Sequence, residues 1–95
     1  MILLHGEMGA GKTTFVAKEL KKYPVTSPTF SIINQYAPNI FHADLYRIKN
    51  VSELYNTDFF DILYDDKNTF YIEWPYNNVP KEVYYKCKNI SHVYF

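Results

Sequence analysis

The sequence has one cysteine, Cys87, one arginine, Arg47, no net charge and no long apolar run. A single cysteine excludes an internal disulfide and suits a reducing compartment. Ten basic residues against ten acidic ones leave no basic face, which argues against tight autonomous binding to nucleic acid. No stretch approaches the roughly 18 apolar residues of a membrane span. The opening Met1-Ile2-Leu3-Leu4 is too short for a signal peptide. A cytoplasmic location without a membrane partner is the expectation. Neither an internal repeat nor a linker breaks the chain, so residues 1–95 are expected to form one domain.

What is present can fill a core. A chain of this size buries only about 60–65% of its unfolded surface. Here 47% of residues are hydrophobic and 19% aromatic, ten of them tyrosines. Most tyrosines are expected at the core or its edge, with the hydroxyl at the surface.

The most informative segment is Gly6-Glu7-Met8-Gly9-Ala10-Gly11-Lys12-Thr13. It follows a short apolar run and leads into a helical stretch predicted over 13–22, the context that a phosphate-binding P-loop requires. Glycines let successive backbone N–H groups face one point, and the helix N-terminus adds partial positive charge. Lys12 is expected to face solvent and reach the β- and γ-phosphates, while the Thr13 hydroxyl ligates Mg²⁺. Glu7, Met8, Gly9, Ala10, Gly11 and Thr14 complete the predicted nucleotide-binding segment. The alternative, a glycine-rich turn without a ligand, gives Gly-Lys-Thr after a strand little reason to exist.

The fold class expected is α/β, a P-loop NTPase-like small mixed β-sheet with flanking helices. Residues 2–5 read as a buried strand. In the next helix Val16, Leu20 and Tyr23 line one stripe with Phe15 beside them, and Pro24 ends it. Residues 25–29 read as an extended loop. Strands over 30–36 and 40–44 form a hairpin across Ala37-Pro38-Asn39. Short helices are predicted near 52–55, capped by Ser52 or Asn50, and over 58–64, capped by Thr57 or Asp58. Residues 69–72 form a strand ending at Glu73-Trp74-Pro75. Alternation of Val83, Tyr85 and Cys87 with Tyr84, Lys86 and Lys88 predicts a half-exposed strand over 82–89, and 92–95 is compatible with another.

A P-loop needs a second acidic group to hold the metal or its waters. Asp44 and Glu73, each ending an apolar strand, are the two candidates; Asp58, Asp61, Asp65 and Asp66 read as capping and turn residues. His42, two residues before Asp44, shares its strand face and could pair with it, although a structural hydrogen-bonding role is the commoner fate of such a histidine. His5 reads as structural and Cys87 as a small buried hydrophobe. One arginine cannot supply the several guanidinium clamps of a small-molecule kinase. No Asn-Lys-x-Asp segment reads guanine. Slow ATP hydrolysis coupled to a conformational change fits better. A small P-loop nucleotide or metabolite kinase and a catalytically weak nucleotide-binding interaction module are the alternatives.

Four segments in order resemble the bacterial TsaE (YjeE) family of tRNA threonylcarbamoyladenosine biosynthesis. They are the P-loop through Phe15, Val25-Thr26-Ser27-Pro28-Thr29-Phe30, Phe41-His42-Ala43-Asp44-Leu45-Tyr46-Arg47, and Ile72-Glu73-Trp74-Pro75. The resemblance covers roughly residues 1–76 and departs at Glu7, where the family usually has Asp. It implies a small Mg²⁺-dependent ATPase that binds the TsaD–TsaB transferase heterodimer, with tRNA engaged only through that complex. It further implies that Thr26, Ser27 and Thr29 sense the γ-phosphate, that Asp44 is the catalytic acid, that Glu73 assists the metal and that Trp74 lies near the nucleotide. Family members also carry a segment before the P-loop strand, so the sequence reads as truncated there, and contacts to the adenine base are the property most affected.

Overall fold

The computed structural model describes residues 1–7, 9–25 and 31–95. Met8 of the glycine loop and Thr26, Ser27 and Thr29 of the expected switch lie outside the described residues.

Strands β1 (Ile2–His5), β2 (Ile33–Ala37), β3 (Ile40–Asp44), β4 (Thr69–Glu73) and β5 (Ser91–Tyr94) form one sheet in the order β2-β3-β4-β1-β5. β2 and β3 are the antiparallel hairpin, and the other pairings are parallel. The fold is the α/β, P-loop NTPase-like mixed sheet that the sequence predicts. Among the described residues no helix is long and apolar enough to cross a membrane.

Parallel strands are buried on both faces and so read as continuous apolar runs rather than alternating ones. Leu3 and Leu4, adjacent in sequence, are both fully buried, on opposite sides of the sheet. Leu4 packs with Val16 of helix α1 (Lys12–Glu19), with Leu20 just after that helix and with Tyr71. Leu3 joins the larger core on the other face with Leu45, Leu54, Phe59, Phe70 and Ile72. That face is covered by a 3₁₀ turn (Val51–Asn56), helix α2 (Phe59–Leu63) and a second 3₁₀ turn (Lys81–Tyr84).

The local signals act as their chemistry dictates, with differences at the end of α1 and the start of β2. Asn50 caps the first 3₁₀ turn in a reciprocal capping box with Glu53. The Thr57 hydroxyl, rather than Asp58, accepts the Phe59 N–H at the start of α2. α1 ends at Glu19 and not at residue 22, because Pro24 disfavours helical geometry at the residue before it and the chain turns over 20–22. β2 begins at Ile33, after a bend at 31–32.

The largest correction is at 82–89, which is not a strand. Lys81–Tyr84 is a 3₁₀ turn, and the inward residues are Val83, Tyr84, Cys87 and Ile90. Their spacing is that of a helical turn, not the period of two suggested by Val83, Tyr85 and Cys87. Cys87 is half-buried, with its thiol toward the Leu63 carbonyl at 3.8 Å. The Tyr84 hydroxyl, buried, donates to the Pro75 carbonyl at 2.5 Å and anchors this turn beneath the end of β4.

Residues 91–94 do form a strand, parallel to β1. His5 meets His92 at 2.9 Å and stacks on Tyr94 with ring centroids 4.7 Å apart, the structural role expected of it.

Tyr84→Phe is expected to lower the unfolding free energy by about 1–2 kcal/mol, because a buried carbonyl loses its donor. Urea denaturation measures this, and a midpoint equal to the parent's contradicts the anchoring role.

Candidate functional site

Three strands end side by side where the glycine loop begins. β1 runs into Gly6, β3 ends at Asp44 and β4 at Glu73, with Asp44 and Glu73 paired in register. The loop needs backbone conformations that a β-carbon resists. Gly6 has φ 148°, and an added β-carbon would lie 2.9 Å from that of Phe95. Gly11, at φ 94°, is the left-handed residue from which α1 departs. The Ala10 N–H closes the turn on the Glu7 carbonyl at 3.1 Å. Glu7, Gly9 and Thr14 are exposed, and Ala10 is partly so. The N–H groups of Lys12, Thr13 and Thr14 lie in the first turn of α1, the end at which a helix presents its donors outward.

Lys12 does not face solvent. It is 4% exposed, its ammonium donates to the Gly6 carbonyl at 2.7 Å, and it lies 3.6 Å from the centroid of the Trp74 ring. A cation over an indole face is held by the ring's quadrupole, so the lysine folds back onto its own loop. Burial pushes the ammonium below the usual lysine range, opposed by the charges of Glu73, Asp44 and Glu7. Trp74 has φ 57°, a left-handed conformation that a bulky residue adopts only at a cost. Its ring also meets Tyr46 at 5.1 Å. Trp74, which the resemblance expects near the nucleotide, thus lies against the loop lysine.

Glu73 is the hub. It is 4% exposed, and its Oε2 accepts from the Thr13 hydroxyl at 2.9 Å and from His42 Nε2 at 2.6 Å. His42 is fully buried, and its Nδ1 meets the Tyr36 hydroxyl at 2.9 Å. The imidazole therefore pairs with Glu73 across the strands and not with Asp44 along its own. In the pleat His42 and Asp44 share a face, but the adjacent β4 brings the Glu73 carboxylate nearer. The two candidate metal residues, Thr13 and Glu73, thus touch. A hydroxyl beside a carboxylate is the hard oxygen donor set that suits Mg²⁺, which takes one or two protein ligands and completes its shell from phosphate and water. Among the described residues no three of His, Cys, Asp and Glu gather into a metal cage.

Asp44 is half-buried, and its Oδ1 accepts the Tyr46 N–H at 3.0 Å. Burial pushes its carboxyl above the usual range; the Tyr46 N–H opposes this, the neighbouring Glu73 charge reinforces it, and His42 and Lys12 oppose it. The loop after Asp44 is clipped from below. The Asn77 amide lies 2.7 Å from the Leu45 carbonyl and 3.0 Å from that of Tyr46, and the Asn78 amide donates to Ile48 at 3.0 Å. Arg47 is exposed on this loop. Sequence reasoning missed Tyr36, Asn77 and Asn78; no local pattern marks a residue whose partners lie six to thirty-two positions away.

A parallel strand, a glycine loop and a helix, with the loop threonine hydrogen-bonded to a carboxylate ending the adjacent strand, define a protein of the P-loop NTPase-like class. The model of the family described as threonylcarbamoyl adenosine biosynthesis protein TsaE matches residues 1–93, and the chain belongs to that family. It is 38% identical over 82 residues to the tRNA threonylcarbamoyladenosine biosynthesis protein TsaE of Rickettsia typhi, a match covering 78% of this chain and 56% of that protein. The protein of the same name from Borreliella burgdorferi is 37% identical over 81 residues, covering 79% of this chain and 59% of that one. The Aquifex aeolicus protein is 51% identical over 57 residues, 50% of this chain and 43% of that one. The chain spans about half the length of the curated relatives it matches.

Asp44 yields a pH prediction. Its folded-state pKa is raised, so ionisation costs stability once the pH exceeds the ordinary carboxylate value of about 4 and the cost grows up to the raised value. Asp44→Asn keeps an acceptor for Tyr46 and is expected to raise the melting temperature of the nucleotide-free protein at pH 7 by up to about 4 °C, under 1 kcal/mol. The gap should close below about pH 4, where Asp44 is protonated in both states. Calorimetry from pH 3 to 8 checks this; a variant no more stable than the parent at pH 7 refutes it.

Proposed function

We propose that the chain binds Mg²⁺-ATP at the glycine loop and hydrolyses it as a cytoplasmic accessory protein of the system that forms threonylcarbamoyladenosine in tRNA. The observation that carries this is the 2.9 Å hydrogen bond from the Thr13 hydroxyl to Glu73, which joins the loop threonine to a strand-end carboxylate. Family membership supplies the biological setting, through relatives whose names place them in that biosynthesis.

The roles follow from position. Glu7, Met8, Gly9, Ala10, Gly11, Lys12, Thr13 and Thr14 cradle the phosphates, with the N–H groups of the first turn of α1 directed at negative charge. Lys12 exchanges the Gly6 carbonyl and the Trp74 face for phosphate oxygens, a charge-assisted contact stronger than the one it leaves. Trp74 stays beside the nucleotide. Thr13 and Glu73 hold Mg²⁺, which when bound neutralises charge on the β- and γ-phosphates. Asp44, adjacent in register and with its proton held more tightly than usual, orients or deprotonates the attacking water. Thr26, Ser27 and Thr29 respond to the γ-phosphate. Hydrolysis is slow alone and completed by the TsaD–TsaB heterodimer, through which tRNA is reached.

The test is ATP titration and single-turnover hydrolysis, with and without that heterodimer. Lys12→Ala should weaken ATP binding roughly 10- to 100-fold, the worth of a lost charged hydrogen bond. Asp44→Asn should leave binding near normal and slow hydrolysis by about 10²–10⁴-fold. Parental ATP affinity in Lys12→Ala overturns the nucleotide site, and parental hydrolysis in Asp44→Asn removes Asp44 from the mechanism.

A further inference from the structure

The hydrogen bonds at Glu73 continue beyond the nucleotide site. Complementarity assigns their protons. An ionised Glu73 only accepts, so His42 Nε2, 2.6 Å away, must carry a hydrogen. In the neutral imidazole Nδ1 is then the acceptor, and the Tyr36 hydroxyl at 2.9 Å donates to it. With the imidazole neutral the chain runs in one direction, from Tyr36 through His42 to Glu73 Oε2, the same oxygen that takes the Thr13 hydroxyl. Tyr36 sits on the outermost strand, and the β2–β3 register slips by one residue there, from Gln35 opposite Phe41 to Ala37 opposite Ile40. Such bulges re-aim side chains and recur beside active sites.

We propose that Tyr36 and His42 are positioning residues that fix the Glu73 carboxylate against Thr13, so that the edge strand β2 sets the geometry of the cation ligands. This rests on the reading of Thr13 and Glu73 as Mg²⁺ ligands. The physical basis is general: groups that hydrogen-bond a metal ligand fix its orientation, and their loss weakens metal binding. His42, fully buried between two fixed partners, cannot swing to another acceptor without leaving Glu73 or Tyr36 unsatisfied.

Two measurements test it. The first is the affinity of a non-hydrolysable ATP analogue with and without Mg²⁺ for the parent, Tyr36→Phe, His42→Gln and His42→Leu. Tyr36→Phe should cut the gain from Mg²⁺ about threefold or more, while Mg²⁺-free affinity stays within about twofold. His42→Leu should cut it about tenfold or more, and His42→Gln, whose amide can still donate to Glu73, should recover part of the loss. A merely structural role would move both affinities together, and that result, or a Mg²⁺ gain unchanged in Tyr36→Phe, overturns the proposal. The second is the imidazole ¹⁵N spectrum of the nucleotide-free parent, which should place the proton on Nε2 of His42, with the Nδ1 resonance shifted in Tyr36→Phe. A proton on Nδ1, or an Nδ1 resonance indifferent to the Tyr36 hydroxyl, overturns the proposal whatever Mg²⁺ does. A parent that gains nothing from Mg²⁺ refutes the ligand roles of Thr13 and Glu73, and with them this inference, even where the spectra show the hydrogen-bond chain.

Discussion

A buried carboxylate organises this molecule. Glu73 ends the middle strand of the sheet and is almost wholly removed from water. An unpaired charge there would be prohibitive, so donors must be brought to it. They come from two other elements: Thr13 from the start of α1 and His42 from β3. Each donor in turn constrains its element. Thr13 can reach only if α1 starts at residue 12, which requires the left-handed Gly11, and His42 can reach only with β3 in its present register on β4. The same side chain that satisfies the fold sits where a cation would be held.

The glycine loop is likewise satisfied from within. Lys12 is occupied by the Gly6 carbonyl and the Trp74 face, and Trp74 is held in left-handed geometry at the turn out of β4. The ammonium is thereby neither exposed nor unpaired. Any anion that recruits Lys12 would have to break these contacts, so its affinity would be a difference between new contacts and internal ones, not the sum of the former. Asp44 adds the opposite sign: it lies next to Glu73, half-buried, with its carboxyl biased toward the protonated form. Two acids on neighbouring strands whose environments differ, one doubly hydrogen-bonded and one held mainly by a backbone N–H, are set up for different tasks.

Much of this was legible in the sequence, for identifiable reasons. The glycine loop depends on conformations that few residues adopt, so its signature is local and strong. β1, β3 and β4 are apolar runs bounded by turn residues, and their assigned ends match within one residue. Thr13 and Glu73, each named as a candidate metal residue from its own chemistry, lie in hydrogen-bond contact although far apart in sequence. Two readings failed where a local pattern was outweighed by tertiary contact. Residues 82–89 alternate like a strand, yet the buried Tyr84 hydroxyl and the inward Val83, Tyr84 and Cys87 make a turn the better packing. Lys12 looked solvent-facing because nothing local reveals that Trp74, sixty-two positions on, turns its ring over the ammonium. His42, offered either a bond to Asp44 or a structural role, takes the structural role with Glu73, because pleat geometry is visible along one strand and invisible between two.

The partner of His42 shows what a sequence of this kind withholds. Along β3 the sequence fixes which residues share a face, but the partner of each is chosen by the register of β4, and register depends on the whole sheet. A slip of one residue between β3 and β4 would turn Glu73 away from His42 and leave the imidazole buried without an acceptor for its proton, a cost that adds to the lost apolar packing of Ala43 on Ile72. The polar contact therefore acts on the fold as a register lock, and the fold acts on the site as its aligner. The hydroxyl of Tyr36 extends this reciprocity to the edge of the sheet. At the bulge it meets the far side of an imidazole whose near side holds Glu73.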